Sequence, residues 1–298
     1  MTTRTWPSAG WRMPFRRGTL RAMRDGAIAA CLALAVLHLF GLLQIGVDAH
    51  VYWAVDPSHP YTSAQPGTPV FLYSPAFAQL TAPIHLLPWQ VFIASWTVVL
   101  TALLVWQAGR WTAIALLLFP VFVDLTVANI HLLMAAAIVV GFRWPWTWSF
   151  IVLTKITPGV GLLWFAFRRE WRSLAIALGA TAAVSAGSFV IAPGLWRDWF
   201  DLLVAASRAP DMNFIVPIPV WYRLPVSVAI LAWGARTNRR WTVPLASCIA
   251  VPVLELNAFA MLVAMIPLLD PPSAESPAAR WLNAAGIRRA PTEAAATA

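Results

Sequence analysis

The side chain with the least ordinary setting in this sequence is Lys155. It is a single lysine among 21 cationic residues, and it lies inside an apolar run. The other cations are arginines at the ends of apolar runs or in the loops between them. A charge at membrane depth is costly and needs a partner. A compact ammonium there suits a buried anion, and a lipid phosphate or pyrophosphate has the right chemistry. Two plainer readings are a structural ion pair with Asp124 or Glu255, and a lysine that snorkels to the interface. Pro158, Gly159 and Gly161 follow at once. These helix breakers favour a ligand site, because broken backbone at that depth must be covered by protein or line a wet cavity.

Asp48 is the second candidate. It ends the first apolar run and heads Asp48-Ala-His-Val-Tyr-Trp. A carboxylate at the membrane surface beside aromatic residues is placed to take a proton from a sugar hydroxyl; the plain alternative is an ordinary loop acid. His50, Asp56 and His59 would give a divalent ion mixed nitrogen and oxygen donors together with Asp48. Their spacing matches no metal motif, so they are read as loop polar groups, and neither metal nor cofactor is expected. His50, Tyr52, Tyr61, Tyr73, Asn129, His131, Arg208, Glu255 and Asn257 are further candidates for a substrate pocket. Cys31 and Cys248 sit in apolar runs and form neither a disulfide framework nor a zinc motif.

The elements that would position these groups are membrane helices. Of 298 residues 60% are hydrophobic and 11% charged, whereas a soluble domain carries about 25% charged residues. The net charge of +9 comes from short clusters between apolar runs. That distribution fits positive-inside anchoring and not a nucleic-acid surface. The 18 tryptophans cluster near the ends of the runs, as interfacial belts do.

Hydropathy places a basic N-terminal segment at 1–25 and a transmembrane domain at 26–269. A tail rich in proline and alanine follows at 270–298 and is expected to be disordered. The first span is read at 26–46, as a signal anchor leading outward because six arginines precede it. An outer segment at 47–89 is broken by prolines into short interfacial or re-entrant helices. Spans follow at 90–108, 112–127 and 132–142. The run 144–167 has basic residues at both ends, which two half-helices meeting near Lys155 and Pro158 would reconcile. A span at 173–192, an amphipathic interfacial helix at 195–206 and a span at 218–234 come next. The run 241–269 is one long helix or a second broken hairpin. The whole is an all-α polytopic bundle of about 8–10 spans.

Several of these motifs share one family resemblance. Asp48-Ala-His-Val-Tyr-Trp, Pro60-Tyr61, Phe71-Leu-Tyr-Ser-Pro75 and the apolar stretch bounded by Pro83 and Pro88 resemble the first outer loop of the polyprenyl-phosphate-dependent glycosyltransferase family 87, which includes mycobacterial mannosyltransferases. Lys155-Ile-Thr-Pro158 and the cluster Arg168-Arg-Glu-Trp-Arg172 resemble its K-x-T-P segment and following basic cluster. The chain departs from the pattern at Ala128-Asn-Ile-His131, where the family often has G-Q-x-N. It also departs at Ser74, in place of the first of two prolines, and at Glu255 and Asn257, where the family often has Trp and His. The resemblance implies a GT-C fold and an active site facing the extracytoplasmic side of the cell membrane. It implies a polyprenyl-phosphate-linked sugar donor, mannose being the expected sugar, and a lipid or glycan acceptor. Asp48 would then be the catalytic base and Lys155 a ligand of the donor phosphate, with inversion at the anomeric carbon. A transporter or flippase of lipid-linked or anionic substrates, and an inactive member of the family, are the competing readings.

Overall fold

The computed structural model describes residues 17–43, 45–61, 71–208, 218–269 and 276–286. Among them there are helices and no strands. Three helical stretches are long and apolar enough to cross a membrane: Gly18–Leu39, Trp89–Leu117 and Trp171–Ile191. A fourth crossing is added if the bent pair Phe119–Val127 and His131–Gly141 counts as one span. The chain is thus an all-α polytopic bundle, as expected, with three to four stretches among the described residues long and apolar enough to cross as helices. Proline and glycine divide the remaining apolar runs into half-helices too short to cross alone.

Helix α1 (Arg17–Leu39) starts earlier than its hydropathy suggested. It carries Arg21 and Arg24 in its first turns, since arginine is a good helix former. Gly41, at φ 68, terminates it. Gly46, at φ 99, then turns the chain into α2 (Val47–Ala54). A Cβ on Gly46 would meet the Ile93 side chain at 2.7 Å, so α2 is pressed onto α4 (Trp89–Ala108). Between them lies α3 (Pro75–Thr81), capped by the Ser74 hydroxyl and continued by a tight 3-10 segment, Ala82–Leu86.

After α4 the chain breaks at Leu118 between α5 (Thr112–Leu117) and α6 (Phe119–Val127). It bends by 109° before α7 (His131–Gly141). The run around Lys155 is broken as its flanking charges required. Helix α8 (Trp148–Thr154) stops at Lys155, which is extended at φ −138 and ψ 111. A 3-10 segment, Thr157–Leu162, leads to α9 (Leu163–Phe167). The long α10 (Trp171–Ile191) and the amphipathic α11 (Pro193–Arg208) follow. Then come α12 (Val220–Arg236) and a second broken hairpin. That hairpin comprises α13 (Thr242–Ile249), a 3-10 segment Leu256–Ala264 and α14 (Met265–Leu268). The expected disordered tail contains α15 (Pro277–Ala284), whose Ala278, Ala279 and Leu282 are buried. Residues 270–275 and 287–298 of that tail lie outside the described residues.

The arginine clusters gather at one end of the bundle. Helix α4 is 20 residues long, about 30 Å at 1.5 Å per residue. Its first residue, Trp89, meets the His50 ring at 5.1 Å, while Trp106 near its other end meets Trp281 at 6.2 Å. Arg143 lies 5.3 Å over Trp281, Arg240 lies 5.7 Å over Phe142, and Arg168 donates to the Ala235 carbonyl at 3.2 Å. Helix α1 runs antiparallel to α4, with Cys31 facing Thr101 and His38 sharing a cavity with Trp89. Its arginines therefore join the same basic end, and α2 with Asp48 lies at the opposite one.

Close helix contact depends on Gly234 of α12, since a Cβ there would fall inside the Thr242 side chain of α13. Gly187 of α10 faces open space. We expect Gly234→Ala to destabilise the protein by about 1–3 kcal/mol through overpacking. Gly187→Ala should be neutral or stabilising by up to about 1 kcal/mol through helix propensity. Thermal unfolding midpoints of the two variants in detergent check the contrast.

Candidate functional site

Asp48 sits in the first turn of α2, where the helix dipole favours a carboxylate. Its Oδ2 accepts from Asn129 Nδ2 at 2.6 Å and from Asn257 Nδ2 at 3.4 Å. Burial pushes the Asp48 carboxyl above its ordinary range; the Asn129 bond and the Lys155 charge oppose that rise. One turn along, Tyr52 donates to Asn129 Oδ1 at 3.3 Å and meets the Tyr73 hydroxyl at 3.1 Å. Tyr61 donates to the Tyr73 carbonyl at 2.8 Å and so supports this group from behind.

Asn129 is held by the bend between α6 and α7. Ala128 there adopts a left-handed conformation at φ 58. The Trp96 indole donates to the Ala128 carbonyl at 3.0 Å, and the Ile130 N–H donates to Asn129 Oδ1 at 2.6 Å. His131 opens α7 with 1% of its surface exposed. Its Nδ1 meets Asp124 Oδ1 at 2.9 Å, and its Nε2 meets Lys155 Nζ at 2.7 Å. His131, a pocket candidate from the sequence, is thus a buried member of this cluster. The 109° bend folds it inward, where it separates Asp124 from Lys155. The direct ion pair weighed for Asp124 and Lys155 is replaced by this bridged arrangement.

Lys155 reaches this point because its hairpin breaks. The Thr157 hydroxyl donates to the Ala250 carbonyl at 2.5 Å, which ties the tip of this hairpin to the tip of the second one. Gly161 makes room for the Trp148 ring and the Ser247 hydroxyl. On the second tip, Glu255 is exposed and within electrostatic range of both Lys155 and Asp48. Asn257 is buried beside Asp48. Asp48, Asn129, His131, Lys155, Glu255 and Asn257 therefore share one cluster, backed by Tyr52, Tyr73 and Tyr61.

Other candidates fall elsewhere. His50 points away from Asp48 into a cavity of about 510 Å³, with Trp53, Trp89 and His38. Asp56 and His59 bond one another at exposed positions, 3.3 Å apart. Among the described residues no three His, Cys, Asp or Glu side chains converge as a metal set. Arg208 closes α11, and its side chain lies outside the described residues.

Two contributors escaped the sequence reading. Arg223 is 5% exposed near the start of α12. Its guanidinium donates to the carbonyls of Ile218, Ile249, Val251 and Pro252, clamping the loop that leads to Glu255. An arginine four residues inside an apolar helix is a signal of sorts, but three of its four carbonyl partners lie at 249–252, about one and a half helices further along the chain. Ser74 looked like a mere departure from a proline pair. Its N–H donates to the Leu153 carbonyl at 3.3 Å, a bond proline cannot make, and its Oγ caps α3.

Removing a charged donor from its four carbonyl acceptors costs about 1.5–3 kcal/mol per bond before relaxation. Arg223→Leu should therefore lower stability by about 3 kcal/mol or more. Amide hydrogen exchange should rise at 249–256 while α10 stays protected, and hydrogen-exchange mass spectrometry reads both.

Comparison with known proteins supplies one match. The model of glycosyltransferase family 87 matches residues 71–285. It covers Asn129, His131, Lys155, Glu255 and Asn257, while Asp48 and α2 precede it. No curated protein and no solved structure matches the chain.

Proposed function

The chain belongs to glycosyltransferase family 87, and from that premise we propose that it moves a sugar from a polyprenyl-phosphate donor to an extracytoplasmic lipid or glycan acceptor. The membership itself makes it a membrane glycosyltransferase. Mannose is the sugar we favour, on the resemblance to mannosyltransferases of the family.

In the proposed reaction the acceptor hydroxyl attacks the anomeric carbon from the face opposite the phosphate. Asp48 takes the hydroxyl proton as the new C–O bond forms. The bond between the anomeric carbon and the phosphate oxygen breaks, and polyprenyl phosphate leaves with one additional negative charge. Lys155 stabilises that charge as it develops. The configuration at the anomeric carbon inverts. The carrying observation is the convergence of acid and ammonium. Asn129, which holds Asp48, and His131, which holds Lys155, are two residues apart on one bend.

The arginines support a side of the membrane for this site. Their clusters gather at the end of the bundle opposite α2, and positive-inside orientation puts that end in the cytoplasm. The mouth at Asp48 and Glu255 would then open on the extracytoplasmic side of the cell membrane.

Asp48→Asn keeps the shape and loses the base. It should reduce transfer from a radiolabelled polyprenyl-phosphate sugar by about 10²–10⁴-fold, with the unfolding midpoint preserved. Wild-type rates in that variant would remove Asp48 from the role.

The rate should also fall at low pH as Asp48 gains a proton. The Asn129 bond holds the Asp48 pKa down against burial, so Asn129→Leu lets it rise. At any given pH less carboxylate is then available. The acid limb of the kcat/KM profile should move to higher pH, and a limb that stays put or moves down would contradict the assignment.

A further inference from the structure

The reaction above uses Lys155 but neither of the two side chains behind it. Asp124 is 0% exposed and His131 1% exposed, so neither touches substrate from where it stands. We propose that Asp124 and His131 form a positioning relay that fixes the direction of the Lys155 ammonium; this rests on Lys155 being the cation that faces the donor phosphate.

Hydrogen-bonding capacity sets the roles. In the proposed relay Asp124 is the ionised acceptor, and the 2.9 Å contact then puts the hydrogen on His131 Nδ1. An ammonium only donates, so the 2.7 Å contact to Nε2 requires a lone pair there. His131 is thereby held neutral in one tautomer and occupies one N–H of Lys155. Two N–H groups remain for the open side of the cluster.

The interposed ring has a consequence for charge. Three carboxylates, Asp48, Asp124 and Glu255, lie within electrostatic range of this one ammonium. A direct contact with Asp124 would draw the ammonium into the core and neutralise it there. With an imidazole between them the two charges stay a ring's width apart. Asp48 accepts its bonds from Asn129 and Asn257 instead. The ammonium is left at the wall of the cluster, where a phosphate leaving group can approach.

A double-mutant cycle in the full-length protein, with polyprenyl-phosphate sugar as donor, tests the dependence. His131→Leu should lower kcat by about 10–100-fold while the donor KM changes less, since the relay acts on charge that develops during transfer. Added to Lys155→Ala, it should cost less than about 2-fold further. His131→Gln keeps an acceptor for Lys155 and should recover most of the lost rate. Equal losses from His131→Leu with and without Lys155 would overturn the relay. A second measurement needs no variant to be active. With ¹⁵N-labelled histidine, His131 should show a protonated Nδ1 and a bare Nε2 in the wild type. A doubly protonated ring or the reverse tautomer in the wild type overturns the relay and leaves the reaction standing. Absence of transfer from every polyprenyl-phosphate donor, with the tautomer as expected, overturns the reaction and leaves the relay.

Discussion

A backbone carbonyl or N–H freed at membrane depth has no water to bond, and leaving it unpaired costs several kcal/mol. In this protein two hairpins break inside the bundle, around Lys155 and between Ile249 and Leu256. Their freed groups are answered by protein. The Thr157 hydroxyl and the Arg223 guanidinium take up carbonyls between Ile249 and Pro252, and Ser74 takes that of Leu153. Such tips cannot face lipid, so they must converge in the interior. Their convergence brings together polar side chains from segments about 100 residues apart in sequence.

The resulting cluster is graded. Asp124, Asn129, His131 and Asn257 are buried, Asp48 and Lys155 are half-buried, and Glu255 is exposed. The cluster is thus buried at Asp124 and His131 and reaches the surface at Glu255. Each buried member is paired with another. Asn129 joins Asp48 to Tyr52, and His131 joins Lys155 to Asp124. Both joints occur on a bend of a few residues, so a small movement of that bend would shift the acid and the ammonium together.

Departures from the family pattern acquire local reasons. Ala128 stands where the family often has glycine, and it carries the left-handed φ of 58. For a residue with a Cβ that conformation costs about 1–2 kcal/mol. The Trp96 bond to its carbonyl and the packing of α4 against α7 hold it in place. Ser74 supplies a backbone donor and a helix cap that a proline could not.

Composition alone determined that this chain is a helical membrane protein, because too few charges exist to cover a wet surface. Lys155 with its helix breakers, and arginines on both sides of 144–167, determined the broken hairpin, since both are local features of the chain. Where the apolar runs break was less legible than their apolarity, which measures preference for lipid, whereas an unbroken helix also demands a stretch free of breakers such as Pro120, Pro158 and Gly161. The tail showed only its composition, while α15 depends on packing Leu282 and Trp281 against elements far away in sequence. The partnership of Asp48 with Asn129 and Asn257, the turn of His131 inward, and the Arg223 clamp were decided by tertiary structure. Each joins groups whose proximity depends on the angle at a bend or on two loop tips meeting, and no spacing along the sequence encodes that angle or that meeting.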